Sequence, residues 1–248
     1  MRTLLAGILT VLLNLFAAQS SIAQTPADTA QPVIVYIETN PWLMVIGSDS
    51  PQFALYADGT VIFRTSEGYR RSKLDDEQRA EIEGAIELNG LEPYTEYLTA
   101  SDQPSSIIYD FREKRAVWAY GAVSRWRNAP SGDDPLLRMI KVLREFRVTD
   151  AEPWIPDFIE VMIWPYEYAP EESIVWQRDW PGINDARTVR RGNSFSIFFP
   201  SAHSEELFAF LGTRRERGAV EIDGQKWAVS LRYPFPGEEQ WSQPSASD

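Results

Sequence analysis

The chain has 248 residues, 44% of them hydrophobic, with no cysteine, one histidine and 36 acidic against 24 basic side chains, a formal net charge of −12. A surface of that sign excludes general nucleic-acid binding, because the phosphate-neutralising term that dominates such binding would be repulsive. The missing cysteines exclude disulfides, thiol catalysis and cysteine-attached haem, and a single histidine excludes a histidine-cluster zinc site, so no cofactor is expected.

Residues 1–23 read as a signal peptide: Met1-Arg2-Thr3, an apolar run from Leu4 to Ala18, then Ser21-Ile22-Ala23 with small residues where a signal peptidase cuts. The run is about 15 residues long, shorter than the roughly 20 a bilayer core needs, and Asn14 interrupts it. Cleavage after Ala23 is expected to release a secreted or periplasmic protein with no membrane span. Residues 24–32 read as a flexible leader, with structure expected from Val33.

Val33–Ile37 and Trp42–Ile46 are strand-like runs, ended by Asn40-Pro41 and Gly47-Ser48. From Pro51 to Arg64, alternating apolar runs flank Asp58-Gly59, a strong hairpin signal because a type I′ turn needs positive φ at both central residues. A two-residue loop there pairs Tyr56 with Val61, Leu55 with Ile62 and Ala54 with Phe63. Both faces are then apolar, which suits a hairpin in the middle of a sheet. Ser72–Gly90 predicts a helix capped by Ser72, with Asp75 in capping-box position and Asn89-Gly90 as its stop. The acids Asp75, Asp76 and Glu77 at its start suit the positive end of the helix dipole. Ile107–Phe111 and Ala116–Tyr120 predict a second hairpin. Asp134-Pro135 opens a second helix, with Leu136, Met139, Ile140, Val142, Leu143 and Phe146 along its apolar stripe.

Thr149–Pro153 is short, polar and closed by proline, and reads as the boundary between subdomains over 33–148 and 154–236. Strands are expected over 158–164, 173–177 and 194–199, then a helix over His203–Leu211 with Leu207, Phe208, Phe210 and Leu211 inward. A second Asp-Gly hairpin at Asp223-Gly224 places Ile222 opposite Gln225, Glu221 opposite Lys226 and Val220 opposite Trp227. Residues 237–248 read as a disordered tail. The whole predicts an α+β fold of largely antiparallel sheets with helices on one face, in two similar subdomains.

The chain has no Gly-x-Ser-x-Gly elbow, phosphate loop or dinucleotide fingerprint. His203 falls in the first turn of the last helix, where the dipole disfavours an imidazolium, so a surface or capping role is expected. Residues 154–181 hold four of the nine tryptophans. Within them Trp164, Tyr166, Glu167, Tyr168, Trp176 and Trp180 form the candidate ligand site: ring faces would stack on sugars while carboxylates accept hydroxyl hydrogen bonds. Core packing is the competing reading of the same tryptophans. Glu160, Glu167, Glu171, Glu172 and Asp179 could furnish the carboxylate pair of a glycosidase. Arg187, Arg190 and Arg191 are the candidate anion site, with Arg214, Arg215 and Arg217 as a second cluster; solvated loop charge is the alternative for both.

At L-Y-x-D-G-T-V-I (Leu55, Tyr56, Asp58, Gly59, Thr60, Val61, Ile62), followed by the helix start at Leu74–Gln78, the chain resembles uncharacterised exported bacterial proteins with the same hairpin. The resemblance spans about 40 residues and implies no activity. The expected function is non-enzymatic binding at the cell envelope, to a protein or a glycan. The alternatives are a carbohydrate-active hydrolase using two carboxylates of the tryptophan-rich region, and an acidic inhibitor or immunity-type protein for a basic target.

Overall fold

Short apolar runs separated by polar turns build two sheets, and the helices cover one face of each. The computed structural model describes residues 31–123 and 133–241; the expected signal peptide, the expected leader up to Ala30 and the expected tail beyond Trp241 lie outside the described residues. The first sheet contains β1 (Pro32–Thr39), β2 (Phe53–Tyr56), β3 (Thr60–Thr65), β4 (Gly68–Lys73), β5 (Tyr94–Glu96), β6 (Ser105–Asp110), β7 (Arg115–Tyr120) and β8 (Glu152–Pro153), in the order β5-β7-β6-β1-β2-β3-β4-β8. The second contains β9 (Phe158–Pro165), β10 (Glu171–Val175), β11 (Val189–Arg191), β12 (Ser194–Pro200), β13 (Gly218–Ile222) and β14 (Gln225–Arg232), in the order β10-β13-β14-β9-β12-β11. Only the pairs β5–β7 and β10–β13 are parallel among the described strands. The helices are α1 (Asp76–Ala85), α2 (Pro135–Arg144) and α3 (Ser204–Gly212), and the fold is α+β as expected. No helix among the described residues is long and apolar enough to cross a membrane.

The two Asp-Gly hairpins are built differently. Around Asp223-Gly224 both residues have positive φ, 52° and 77°, and the pairing is the expected one. Around Asp58-Gly59 only Gly59 does, at 85°, and the register is Phe53↔Phe63, Ala54↔Ile62, Leu55↔Val61, one residue away from the expected one. The loop therefore has three residues, closed by a left-handed glycine. Asp58 stays on the negative side, its carboxylate accepting from the Thr60 N–H at 2.9 Å and from Lys73 at 2.8 Å. A one-residue shift reassigns both faces. Phe53, Leu55, Val61 and Phe63 now face the helices with Leu136, Ile140 and Leu143, while Ala54, Tyr56 and Ile62 face away. A Cβ at Gly59 would meet the Leu74 carbonyl oxygen at 3.0 Å in a left-handed backbone. Gly59→Ala is expected to cost about 1–2 kcal/mol by urea unfolding, and a loss below about 0.5 kcal/mol would mean that residue 59 is not held in the left-handed region.

Helix α1 is shorter than the predicted span. Ser72 is drawn into β4, opposite Val61, so Asp75 becomes the N-cap and completes a capping box with Gln78. The helix stops at Ala85 because Ile86 and Leu88 turn into the first core. Its end carbonyls are met by Arg112 from the β6–β7 tip, which donates to the oxygens of Glu83 and Ile86 at 2.8 Å each. Asp110 beside it holds that guanidinium above its usual pKa. Helix α2 begins as predicted, Asp134 accepting from the N–H groups of Leu136 and Leu137, although Val142 is left exposed. In α3 Leu207 is buried and Phe208, expected inside, points to solvent.

The expected boundary is part of the first sheet: Glu152 and Pro153 pair with Arg71 and Arg70 of β4. The expected tail also starts differently. After β14 the chain leaves the second sheet and crosses the helix-free face of the first, where Phe235 and Trp241 are buried with Val35, Ala54, Tyr56, Ile62 and Tyr69. Burial alone would pull the Arg232 guanidinium down, but Glu238 and Glu160 more than offset this and raise it above its usual value. Arg232 Nη1 lies 2.5 Å from Glu160, its fork takes Glu238 at 2.6 and 2.8 Å, and Nε donates to the Asp49 carbonyl at 3.1 Å. Glu160 belongs to the second sheet, Asp49 to the β1–β2 connection and Glu238 to the crossing segment. One side chain thus ties the two sheets together.

Candidate functional site

Between β10 and β11 the chain passes through residues 177–188, a polar stretch around Trp180-Pro181-Gly182 that repeats neither strand nor helix periodicity. Its conformation is held from inside. Trp176 Nε1 donates to the Pro181 carbonyl at 3.0 Å, and Thr188 Oγ1 to that of Gly182 at 2.7 Å. Asn184 reaches Asp223 at the tip of the β13–β14 hairpin, while the Arg187 guanidinium lies over the Phe158 ring at 5.0 Å. The stretch therefore reaches from the hairpin tip to the start of β9.

An open groove of about 770 Å³ runs beside it. Its apolar lining is Trp180, Pro181, Phe199 and Pro200; its polar lining is Gln177, Arg178, Asp179, Asn184, Asp185 and Arg187 from the stretch itself, His203 and Glu206 from the turn into α3, and Asp223. Asp185 is engaged by Arg187, whose backbone N–H it accepts at 2.9 Å, and His203 stands 3.6 Å from Glu206. Asp179, Glu206 and Asp223 leave the groove with an excess of acceptors. Among the described residues no group of carboxylates and histidine is arranged to hold a metal ion.

The predicted ligand residues separate. Trp176 is core, 6% exposed, with Trp180, Phe199 and Phe210 edge-on around it. Trp180 meets the same aromatic cluster but stays half-buried, with its remaining surface on the groove. Trp164 is half-buried on β9 opposite Ala228, away from the groove. Tyr166 donates its backbone N–H to Lys226, and Glu167 and Tyr168 form the exposed β9–β10 tip. Only Trp180 of the six lines the groove.

The arginines separate for a simpler reason. Arg190 and Arg191 are successive residues of β11 and point to opposite faces. Arg190 lies over Phe195, while Arg191 donates to Ser196 at 2.8 Å and stands 3.3 Å from Glu160. Arg187 alone reaches the groove. Of the carboxylates weighed for hydrolysis, Glu160 is 1% exposed and bound to Arg232, Glu171 accepts the Arg217 N–H at 2.6 Å, and Glu172 faces Arg215. Asp179 alone of the five is in the groove. Arg214 is structural: its Nη1 donates to the carbonyls of Glu216 and Gly218. His203 and Asp223, by sequence a surface and a turn residue, are both brought to the groove by the fold. The signal that could have singled them out is the long stretch 177–188, which needs something to lie against.

Compared with protein families, with curated proteins and with solved structures, the chain matches none.

Proposed function

We propose that the chain is an exported, non-catalytic binding protein of the cell envelope, whose ligand lies in the groove beside Trp180 and is a small polyhydroxylated molecule such as a sugar. The observation that carries this reading is the unequal treatment of two tryptophans four residues apart. Trp176 is sealed in the core, whereas Trp180, held by three neighbouring aromatic rings, keeps surface on an open groove. An apolar ring suits the C–H face of a sugar, and the surrounding carboxylates, amides and guanidinium suit its hydroxyls. The export signal read at residues 1–23 supports the same reading.

Intrinsic fluorescence titrated with soluble oligosaccharides tests it. Trp180→Ala is expected to weaken binding by about tenfold or more, as is the paired change Gln177→Ala with Asp179→Ala, which touches only exposed side chains. Tyr168→Ala at the outer tip is expected to leave it unchanged. Equal affinities for all three variants would remove the groove from the function.

A further inference from the structure

We propose that the open margin of the first sheet carries a second ligand surface, a row of exposed aromatic rings that takes the pyranose rings of a neutral polysaccharide. The parallel register of β5 and β7 sets Tyr94 beside Trp118 and Glu96 beside Tyr120. Residues two apart on a strand share a face, so Trp118 and Tyr120 point together, opposite to Val117 and Ala119 in the first core. The Tyr120 hydroxyl accepts the Gln103 N–H at 3.0 Å and donates to the Ala100 carbonyl at 2.8 Å. Next to Gln103, the carbonyl of Asp102 accepts the indole N–H of Trp42 at 3.2 Å. Tyr94 and Trp118 are thus paired neighbours, Tyr120 shares the face of Trp118, and Trp42 is tied to the loop that the Tyr120 hydroxyl also bonds.

Three of these rings are strongly exposed: Trp42 at 74%, Tyr94 at 55% and Trp118 at 44%. The backbone of Tyr94 and Trp118 is fixed by strand pairing, and the Trp42 indole N–H is bonded to the Asp102 carbonyl, which lowers the entropy these positions have left to lose. Among the described strands none pairs with β5 on its outer side, so these rings reach the edge of the sheet.

The occupant follows from charge and hydrogen-bonding chemistry. Glu96, in register with Tyr120, and Asp102 are both exposed, and they place acceptors beside the rings. A neutral sugar polymer offers C–H faces to the rings and hydroxyl donors to those acceptors. An anionic membrane or an anionic polysaccharide meets the wrong sign, both here and across a chain of net charge −12.

The test is retention of the purified protein on microcrystalline cellulose and on insoluble chitin. Retention on one of them is expected, surviving about 1 M salt, where charge interactions are screened. Tyr94→Ala combined with Trp118→Ala is expected to lower it about tenfold with an unchanged circular dichroism spectrum. Should that pair disturb β7, Trp42→Ser, at a side chain outside the sheet, keeps the idea exposed to failure. Retention on neither polymer, retention lost in salt, or retention indifferent to both variants would overturn the platform. Transfer of binding to anionic vesicles would do so too. The two readings are distinguished by the same assay: polymer retention lost in the Gln177→Ala, Asp179→Ala protein but kept in the platform variants leaves the groove standing and overturns this site.

Discussion

Arg232→Met is expected to destabilise the folded chain by about 3–5 kcal/mol, measured by urea unfolding, because it strands a carboxylate in the interior. Glu160 is 1% exposed and its 2.5 Å contact with Arg232 is the shorter of its two charge contacts; Arg191, at 3.3 Å and half in solvent, compensates only in part. The same change leaves Glu238 without its two-pronged partner and releases the Asp49 carbonyl. Adding Glu160→Leu should recover much of the loss, since a buried ion pair exchanged whole for apolar side chains is often close to neutral. A loss below about 1 kcal/mol for Arg232→Met alone would mean that water compensates Glu160, and that Arg232 is not the tie between the sheets.

Phe235→Ala is expected to cost a similar amount, about 3–5 kcal/mol, although residue 235 follows the last strand of the second sheet and its cost falls on the first. Its ring packs edge-on against Trp154 at 4.9 Å and Tyr69 at 5.4 Å, over the face formed by Val35, Ala54, Tyr56 and Ile62. Without this cover that face meets water. The two halves are therefore expected to unfold together, with tryptophan fluorescence and far-ultraviolet circular dichroism giving coincident transitions in the wild type. Two separated transitions, with Phe235→Ala moving neither, would show that the crossing segment is an accessory to two independent domains.

Hairpins were legible wherever a short-range rule settled them, and less so where one dipeptide permits two turns. Asp223-Gly224 takes the two-residue turn, while Asp58-Gly59 takes the three-residue one; the difference lies in the sign of φ at a single aspartate. At Asp58 the carboxylate is occupied by Thr60 and by Lys73 of the neighbouring strand. That strand, β4, also took Ser72 from the helix it was expected to cap. Both departures come from pairing between segments, which local propensity does not encode.

The candidate site was legible as a region and not as a set of residues. Tryptophan content drew attention to 154–181, but core and groove tryptophans share one chemistry, and a spacing of four does not say which of Trp176 and Trp180 is sealed. Strand alternation sends Arg190 and Arg191 to opposite faces, while Arg187 lies before β11 in the stretch that lines the groove. His203 and Asp223 could only be joined to Trp180 by folding, since the groove collects them from three separated stretches.

Alternation of apolar residues, turn residues and caps determined by themselves that this chain makes antiparallel sheets with helices on one face, because each of those signals acts within a few residues. Tertiary structure decided the rest: the register of the central hairpin, the return of Phe235 and Trp241 to the first sheet, and the burial of Glu160 against Arg232. Each is a contact between residues far apart in sequence, and its energy exists only once both partners have been brought together.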